Sequence, residues 1–213
     1  MQQHSLPLDK LVPEYRHKIW FIRKYFLDRI KVSLRIADIK DKEVILDVGC
    51  GEAVLLKEIN KMKKNIDYFG VDINENIRSL SLYYRGEFRV CNIQNGLPFQ
   101  NECFDVVFAL DVLEHINNIE KVLKEVFRVL KSQGRFVVCG PTESMWYKFC
   151  RFLIKGTFSS KHGPSSGEHV FSIYDIFKKI EELGLFIKKK TLHLPSFLPK
   201  NFAGVLITLY VKK

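Results

Sequence analysis

A glycine-rich turn preceded by an acidic residue is the strongest chemical signal in this sequence. It lies in ILDVGCGEA (45–53), where an apolar run ends at Asp47 and Val48 and is followed by Gly49 and Gly51. Glycines in such a turn let a ligand approach the backbone closely, and the helix that follows presents free N–H groups. The segment therefore predicts a binding site for a nucleotide-like ligand.

The spacing of this turn separates two kinds of nucleotide ligand. A dinucleotide-binding loop has the pattern G-x-G-x-x-G/A, which would place Gly or Ala at position 54, whereas this chain has Val54. The pattern here is D-x-G-x-G-x-A (47–53), and the carboxylate of Asp47 is unfavourable for a pyrophosphate but favourable for a cation. The negative charge of Asp47 therefore disfavours NAD and favours a cationic ligand such as the aminopropyl-sulfonium of S-adenosylmethionine.

Short strand patterns alternate with helical spacing through the middle of the chain, and this order indicates how the turn is positioned. The strand patterns are 43–48, 66–73, 87–93, 104–112 and 135–140. Helical spacing covers 53–64, 74–85 and 117–134, the last of which is expected to end at Gly134. Such alternation requires parallel strands joined by right-handed crossovers.

The two ends of the chain follow other patterns. Residues 14–39 predict one or two amphipathic helices. A helix (172–184) is followed by two strands (185–194 and 203–213), which predict a hairpin through the Pro195–Pro199 turn. The predicted fold is α/β: a Rossmann-like, doubly wound, mostly parallel seven-stranded sheet with an antiparallel C-terminal edge hairpin and N-terminal helices.

Four motifs in order resemble those of the class I S-adenosylmethionine-dependent methyltransferases, within the small-molecule branch of ubiquinone/menaquinone-type enzymes. They are LDVGCGEA (46–53), FGVDI (69–73), CNIQNGLPFQNECFDVV (91–107) and LDVLEHINNIEKVLKEVFRVLKSQGRFVV (110–138). The resemblance covers roughly residues 43–140 and, more loosely, 168–212. Ala53 and Gln133 stand where Gly is commoner, and Asn92 replaces the usual Asp. The predicted organisation is an N-terminal helical cap (1–40) and a methyltransferase domain (41–213), in which 141–169 is an acceptor-side lid or insertion.

The resemblance implies S-adenosylmethionine as the cofactor and gives its binding residues. Asp72, about twenty residues past the glycines, would hold the ribose diol, and Asn92 would accept a hydrogen bond from the adenine amino group. The expected cofactor-binding set is Asp47, Gly49, Gly51, Asp72, Ile73, Asn92, Ile93 and Leu110. Taken without its neighbours, Asp72 could instead cap a helix, and the glycines could serve only a tight turn.

Two histidines are the candidate catalytic residues, because a general base is needed when the methyl acceptor is a phenol, an alcohol or an acidic carbon. His115 follows the fourth strand, and His169 precedes the C-terminal helix. Both remain open to other interpretations: His115 could serve packing, and His169 could cap the helix. Asp111-x-x-Glu114-His115 also resembles the E-x-x-E-H pattern that holds a divalent cation in quinone O-methyltransferases and small-RNA 2′-O-methyltransferases, the latter with a further downstream His. Relatives without a metal share the pattern, so no metal ligand is assigned here and a divalent cation held by Asp111, Glu114, His115 and His169 remains an alternative.

Two segments that mix aromatic and basic residues indicate what surrounds the acceptor. They are HKIWFIRKYFLDRIK (17–31) and MWYKFCRFLIKGTF (145–158). Such segments fit a lid over the cofactor pocket, an interfacial helix on anionic lipid, or RNA binding by stacking and phosphate contacts. The sequence favours a small-molecule or lipid-like acceptor and peripheral contact with an anionic membrane through 145–158, ahead of nucleic acid.

The net charge of +10 over 213 residues is also unevenly distributed along the chain. Residues 1–40 carry +5, residues 41–140 carry −2 and residues 141–213 carry +7, so the basic excess lies outside the predicted cofactor-binding sheet. Five cysteines without a CxxC pair, no signal-like N-terminus and no membrane-length apolar run give a cytoplasmic expectation.

The sequence therefore predicts an S-adenosylmethionine-dependent methyltransferase that modifies a small or lipid-like acceptor at O or C. The absence of an N/D-P-P-Y/F segment after the fourth strand disfavours methylation of a nucleobase or a glutamine. An RNA methyltransferase and a non-catalytic binding protein with the same fold remain the alternatives.

Overall fold

A computed structural model describes Lys18, residues 20–144, Lys148, Phe152 and residues 169–213. Most of the predicted lid at 141–169 and the first half of the predicted cap at 1–40 lie outside these residues. The helices are α1 (Trp20–Ala37), α2 (Val54–Asn60), α3 (Ile119–Val129) and α4 (Ile173–Glu182). The strands are β1 (Val44–Val48), β2 (Asp67–Asp72), β3 (Glu87–Val90), β4 (Phe104–Leu110), β5 (Leu130–Pro141), β6 (Phe186–Leu194) and β7 (Val205–Lys212).

The strands form one seven-stranded sheet in the order β3-β2-β1-β4-β5-β7-β6. The pairs from β3 to β5 are parallel, whereas β7 runs antiparallel to β5 and to β6. This confirms the predicted fold, including the C-terminal hairpin. Because the strand order reverses between β1 and β4, the crevice outside their carboxyl ends is where a doubly wound sheet binds its ligand.

Each face of the sheet is covered by a separate apolar cluster. On one face, α3 and α4 pack against β4 and β5 around Phe104, Phe136 and Tyr210. On the other face, α1 and α2 cover Ile45, Phe108 and neighbouring residues. Burial on both faces explains why the central strands are continuous apolar runs instead of alternating patterns.

The predicted end of the 117–134 helix is wrong, because α3 ends at Val129 and not at Gly134. The carbonyls of Arg128 and Val129 accept hydrogen bonds from the backbone N–H groups of Glu102 and Cys103, and Leu130 then pairs with Phe104 as the first residue of β5. These hydrogen bonds satisfy two backbone carbonyl groups of the last helical turn, and the chain continues from there into the sheet.

The segment between β2 and β3 is also less regular than predicted. It is a 3₁₀ helix (Glu75–Leu82) instead of an α-helix, and it begins at the expected N-cap, Asn74, whose side chain accepts from the N–H of Asn76 at 3.0 Å. Within the described part of the chain, no helix combines the length and apolar character needed to cross a membrane. Cys50 and Cys139 are buried free thiols, as their apolar surroundings predict.

Candidate functional site

The glycine turn after β1 is held against both neighbouring strands. The N–H groups of Gly49 and Cys50 both donate to the carbonyl of Val71 in β2, at 2.8 and 3.0 Å. Gly49 has a φ of 75°, and a Cβ there would lie 2.7 Å from Cγ2 of Val112, just after β4. Position 49 therefore has no room for a side chain.

Gly51 is open, in contrast to Gly49. It has a φ of 47°, and no atom lies within 4 Å of where its Cβ would be. Its N–H donates to Oδ2 of Asp72 at 3.0 Å, which brings the turn to the end of β2. The backbone of the turn is therefore accessible beside a fixed carboxylate, as binding of a polar ligand requires.

The Asp72 carboxylate is fixed through both of its oxygens. Oδ1 accepts from the N–H of Asn74 at 2.9 Å, and Oδ2 accepts from Gly51. Each carboxylate oxygen can accept a further hydrogen bond, which leaves capacity for a ribose diol. The helix-capping role considered for Asp72 belongs to Asn74.

The expected adenine-side residues differ in exposure. Ile73 has 70% of its surface exposed at the end of β2, whereas Ile93 is buried and Leu110 is half-buried. Oδ1 of Asn92 accepts from the N–H of Gln94 at 3.1 Å, so Asn92 caps a short 3₁₀ turn and keeps one lone pair for another donor. Ile73 therefore offers an exposed apolar side chain at the end of β2, the strand next to the glycine turn.

Asp47 lies beneath the turn and not on its surface. Its buried carboxylate accepts a hydrogen bond from the Tyr68 hydroxyl at 2.6 Å. Burial raises the pKa of Asp47 to about 7, helped by the Asp72 charge and opposed by the Tyr68 hydrogen bond. A cation above the turn would favour the ionised form.

The two candidate catalytic histidines lie together, although 53 positions separate them in the sequence. The N–H of Val170 donates to the carbonyl of Glu114 at 2.7 Å, and the rings of His115 and His169 are 4.9 Å apart. Because Val112 also contacts the glycine turn, this pair stands beside the expected cofactor site.

His169 has a carboxylate partner. Its Nδ1 lies 3.1 Å from Oε1 of Glu143. With that carboxylate ionised, Nδ1 would donate the hydrogen bond and Nε2 would be the nitrogen that can accept a proton. The expectation that His169 could cap the helix is wrong, because Ser172 caps α4 with a reciprocal Asp175 bond.

The structure changes the residues that could hold a metal. Glu114, His115 and His169 offer ligand atoms that all lie within 4.8 Å of one another. Glu114 is buried, and its Oε2 has no hydrogen-bond partner among the described residues. Burial, followed by the nearby Asp111 charge, raises the pKa of Glu114 to about 8. One carboxylate and two imidazoles suit a divalent cation, so these residues fit such an ion.

Asp111 does not belong to that group, because it pairs with Arg29 of α1. Nη1 of Arg29 lies 2.6 Å from Oδ2 of Asp111, and the Arg29 side chain is buried. Arg29 was not among the residues predicted for the site, although it falls on the helical stripe of Ile22, Ile30 and Leu34 that faces the core. The N-terminal helix thus reaches the edge of the site.

We expect Arg29→Met to lower the free energy of unfolding by about 1 to 3 kcal/mol, because it removes the buried cation that pairs with the Asp111 carboxylate. The value is below that of a fully buried pair because the Asp111 side chain is 30% exposed. Urea unfolding measures it. Lys24→Met, which breaks the exposed Lys24–Asp28 pair, is the matched control and should cost less than about 1 kcal/mol. Equal costs for the two variants would contradict a structural role of the Arg29 pair.

Comparison with known proteins gives a consistent result. A family model described as "Methyltransferase domain" matches residues 39–162. The chain is 34% identical over 103 residues to the mitochondrial ubiquinone biosynthesis O-methyltransferase of Rattus norvegicus, a match that covers 44% of this chain and 29% of that protein. The chain therefore spans less than a third of that relative's length.

A second relative aligns over most of both chains. The ubiquinone/menaquinone biosynthesis C-methyltransferase of Rickettsia felis is 25% identical over 206 residues, covering 92% of this chain and 79% of that protein. Among solved structures, a SAM-dependent methyltransferase from Aquifex aeolicus superposes with a TM-score of 0.63 at 16% identity, covering 87% of this chain and 90% of that one. That structure shows the shared fold.

Proposed function

Because the chain belongs to the methyltransferase-domain family, we propose that it binds S-adenosylmethionine and transfers the methyl group to a small or lipid-like acceptor at O or C. The cofactor would lie over the carboxyl ends of β1 and β2, and the acceptor would enter beside β4. Asp47, Gly49, Gly51, Asp72, Ile73, Asn92, Ile93 and Leu110 remain the predicted cofactor-binding residues.

The observation that carries this proposal is the open backbone at Gly51 beside the fixed carboxylate of Asp72 and the exposed Ile73. A nucleoside needs a surface for its base, an acceptor pair for its ribose and a close approach to the backbone. These three features occur together at the ends of two adjacent strands.

The charge at this edge supports a sulfonium ligand. Residues 44–54 contain the acids Asp47 and Glu52 and no Lys or Arg, and Asp72 adds a third carboxylate at the end of β2. A phosphate group would meet only repulsion from these side chains, whereas the positive sulfur and amino group of S-adenosylmethionine would be attracted.

Cofactor affinity should therefore rise with pH through about 7. Because the pKa of Asp47 is about 7 in the protein alone, binding a cation at pH 6 must first remove a proton, which weakens binding about tenfold relative to pH 8. Calorimetry in buffers of different ionisation enthalpy would measure the proton released. In the Asp47→Asn variant the ligand's own groups still titrate, but the carboxylate at position 47 is gone. The affinity of this variant should therefore lose the pH dependence that Asp47 causes. An equal pH dependence in that variant would place the cation elsewhere.

The residues that would act on the acceptor are His115 and His169. Methyl transfer from a sulfonium is a direct displacement, so the protein needs to position the nucleophile in line and remove its proton. We propose that His169, oriented by Glu143, takes that proton at Nε2, with His115 beside it. If a divalent cation is bound, Glu114, His115 and His169 would hold it, and it would polarise an acceptor hydroxyl.

The class of acceptor is proposed from chemistry and from the relatives. Two relatives carry names that refer to quinone biosynthesis, one as an O-methyltransferase and one as a C-methyltransferase. Both transfers need a proton acceptor, which the His169–Glu143 pair supplies. A quinol-like or other apolar aromatic acceptor is therefore the substrate class that we propose.

A labelled-methyl assay tests this class. The protein is incubated with methyl-tritiated S-adenosylmethionine and either a total lipid extract or total RNA. The proposal predicts label in the organic phase and none in RNA, with Asp72→Ala, assayed at limiting cofactor, as the control that should incorporate less label. Label in RNA alone would replace the proposal by the RNA methyltransferase alternative, and label in neither fraction would favour the non-catalytic one.

A further inference from the structure

Four aromatic side chains at one edge of the molecule are exposed to solvent. Trp20 and Phe21 begin α1, with 64% and 55% of their surface exposed, and Phe197 and Phe202 lie between β6 and β7, with 79% and 55% exposed. We call these four residues the aromatic edge surface. Exposed apolar residues that share one edge of a fold mark an interaction site more often than exposed residues scattered singly do.

This surface lies at the same edge of the sheet as the candidate site. Arg29 reaches Asp111 just past β4, so the first nine residues of α1 extend roughly 13 Å beyond that point. The β6–β7 connection follows Leu194, which pairs with Val205 next to the carboxyl end of β5. Tyr25 and Leu27 of α1 pack in the same apolar cluster as Leu194 and Val205.

The β6–β7 connection is an ordered loop whose phenylalanines project outward. His193 Nε2 lies 2.9 Å from the Leu198 carbonyl, and the N–H of Gly204 donates to Leu194 at 2.8 Å. The carbonyl of Ala203 accepts from the hydroxyls of Thr142 and Ser144, which follow β5. Because the loop is fixed by these bonds, the exposure of Phe197 and Phe202 is a built-in feature of the fold.

The polar residues around the surface are mainly basic. Lys18, Arg23, Lys24 and Lys200 lie within the two segments, 18–28 and 195–204. The one acidic residue of these segments, Asp28, pairs with Lys24. Aromatic side chains that enter an interface, flanked by cations that meet headgroups, are typical of a surface that lies on an anionic bilayer.

We propose that the aromatic edge surface docks on an anionic lipid bilayer and presents the open edge of the site to it. The segment that the sequence predicts to contact a membrane, 145–158, falls mostly outside the described residues, so this proposal places the contact on α1 and the β6–β7 loop. It rests on the proposed function only in one respect: an acceptor dissolved in lipid would reach the methyl group without crossing water.

Sedimentation with vesicles of phosphatidylcholine, with and without phosphatidylglycerol, tests the docking. The intact chain should bind the anionic vesicles and not the neutral ones, and added salt should weaken binding. Phe197→Ser with Phe202→Ser, and Trp20→Ser with Phe21→Ser, should each lower the partition coefficient at least about tenfold. Leu82→Ser removes an equally exposed side chain, 78%, from the 3₁₀ helix outside this surface and should change nothing.

Charge reversal gives a second variant that does not touch packing. Lys200→Glu should lower the partition coefficient about fivefold for each unit of charge that it changes. Lys189→Glu, on the exposed stretch of β6, is the matched control for this charge reversal. Failure of the intact chain to bind anionic vesicles, or equal binding by all variants, would overturn the proposal. The proposal would also be overturned if the intact chain bound an RNA oligomer and no vesicles, and if these variants abolished the RNA binding.

The same samples separate this proposal from the proposed function. The Phe197→Ser, Phe202→Ser protein should bind S-adenosylmethionine as the intact chain does, because neither side chain is in the predicted cofactor set. Cofactor binding without vesicle binding would reject the docking alone. Vesicle binding without cofactor binding would reject the enzyme assignment and leave the docking supported.

Discussion

Replacing Asp72 with alanine is expected to weaken S-adenosylmethionine binding by about 10- to 150-fold. The carboxylate would accept hydrogen bonds from the ribose hydroxyls, and losing such bonds to a charged acceptor costs about 1.5 to 3 kcal/mol. The same carboxylate also holds the N–H groups of Gly51 and Asn74 in place, so the variant also loosens the turn. Calorimetric titration of the cofactor measures the loss.

Asp67→Ala is the matched control for this variant. Asp67 is an exposed aspartate at the opposite end of the same strand, β2, so it removes the same carboxylate without touching the site. Its cofactor affinity should equal that of the intact chain. If Asp72→Ala bound the cofactor as tightly as Asp67→Ala, the ribose contact would lie elsewhere.

His169→Gln is expected to slow methyl transfer by about 10²- to 10⁴-fold while leaving cofactor affinity unchanged, the range that a positioned general base contributes. Glu143→Gln should slow the reaction less, because it removes only the group that orients the imidazole. Single-turnover methyl transfer, measured with saturating cofactor, separates chemistry from binding. A normal rate in His169→Gln would remove this residue from the proposed mechanism.

His115→Gln and a chelator then separate a base from a metal. If His169 acts alone as the base, EDTA leaves the rate of the intact chain unchanged and His115→Gln has a small effect. If Glu114, His115 and His169 hold a cation, EDTA abolishes the reaction, Mn²⁺ restores it, and both histidine variants fail equally. His193→Gln, assayed with acceptor in detergent, controls for the loss of an imidazole outside the group.

The fold was predictable because the central strands are buried on both faces and so appear as continuous apolar runs. The parallel strands from β1 to β5 followed from such runs, and the hairpin of β6 and β7 followed from two strand patterns that flank the Pro195–Pro199 turn. The end of α3 did not, because Val129 and Arg128 find their partners at Glu102 and Cys103, residues that only the folded chain brings near. The spacing of residues within the helix gives no information about such contacts.

The positions of some residues of the candidate site were also predictable from the sequence, and those of others were not. Gly49, Gly51 and Asp72 lie at strand ends, and parallel strands bring their carboxyl ends together, so their positions were predictable. The Arg29–Asp111 pair depends on how α1 docks across the sheet, and the approach of His169 to His115 depends on the backbone hydrogen bonds that Val170 and Phe171 donate to the Glu114 carbonyl. Both join segments far apart in sequence, where spacing carries no information.

Calorimetric titration of the folded chain with S-adenosylmethionine would decide whether this edge of the sheet binds the cofactor. We expect saturable one-to-one binding that weakens when Asp72 is replaced by alanine and strengthens as the pH rises from 6 to 8. An absence of binding heat at millimolar cofactor, with circular dichroism showing the chain folded, would contradict the assignment of this edge of the sheet as a cofactor site.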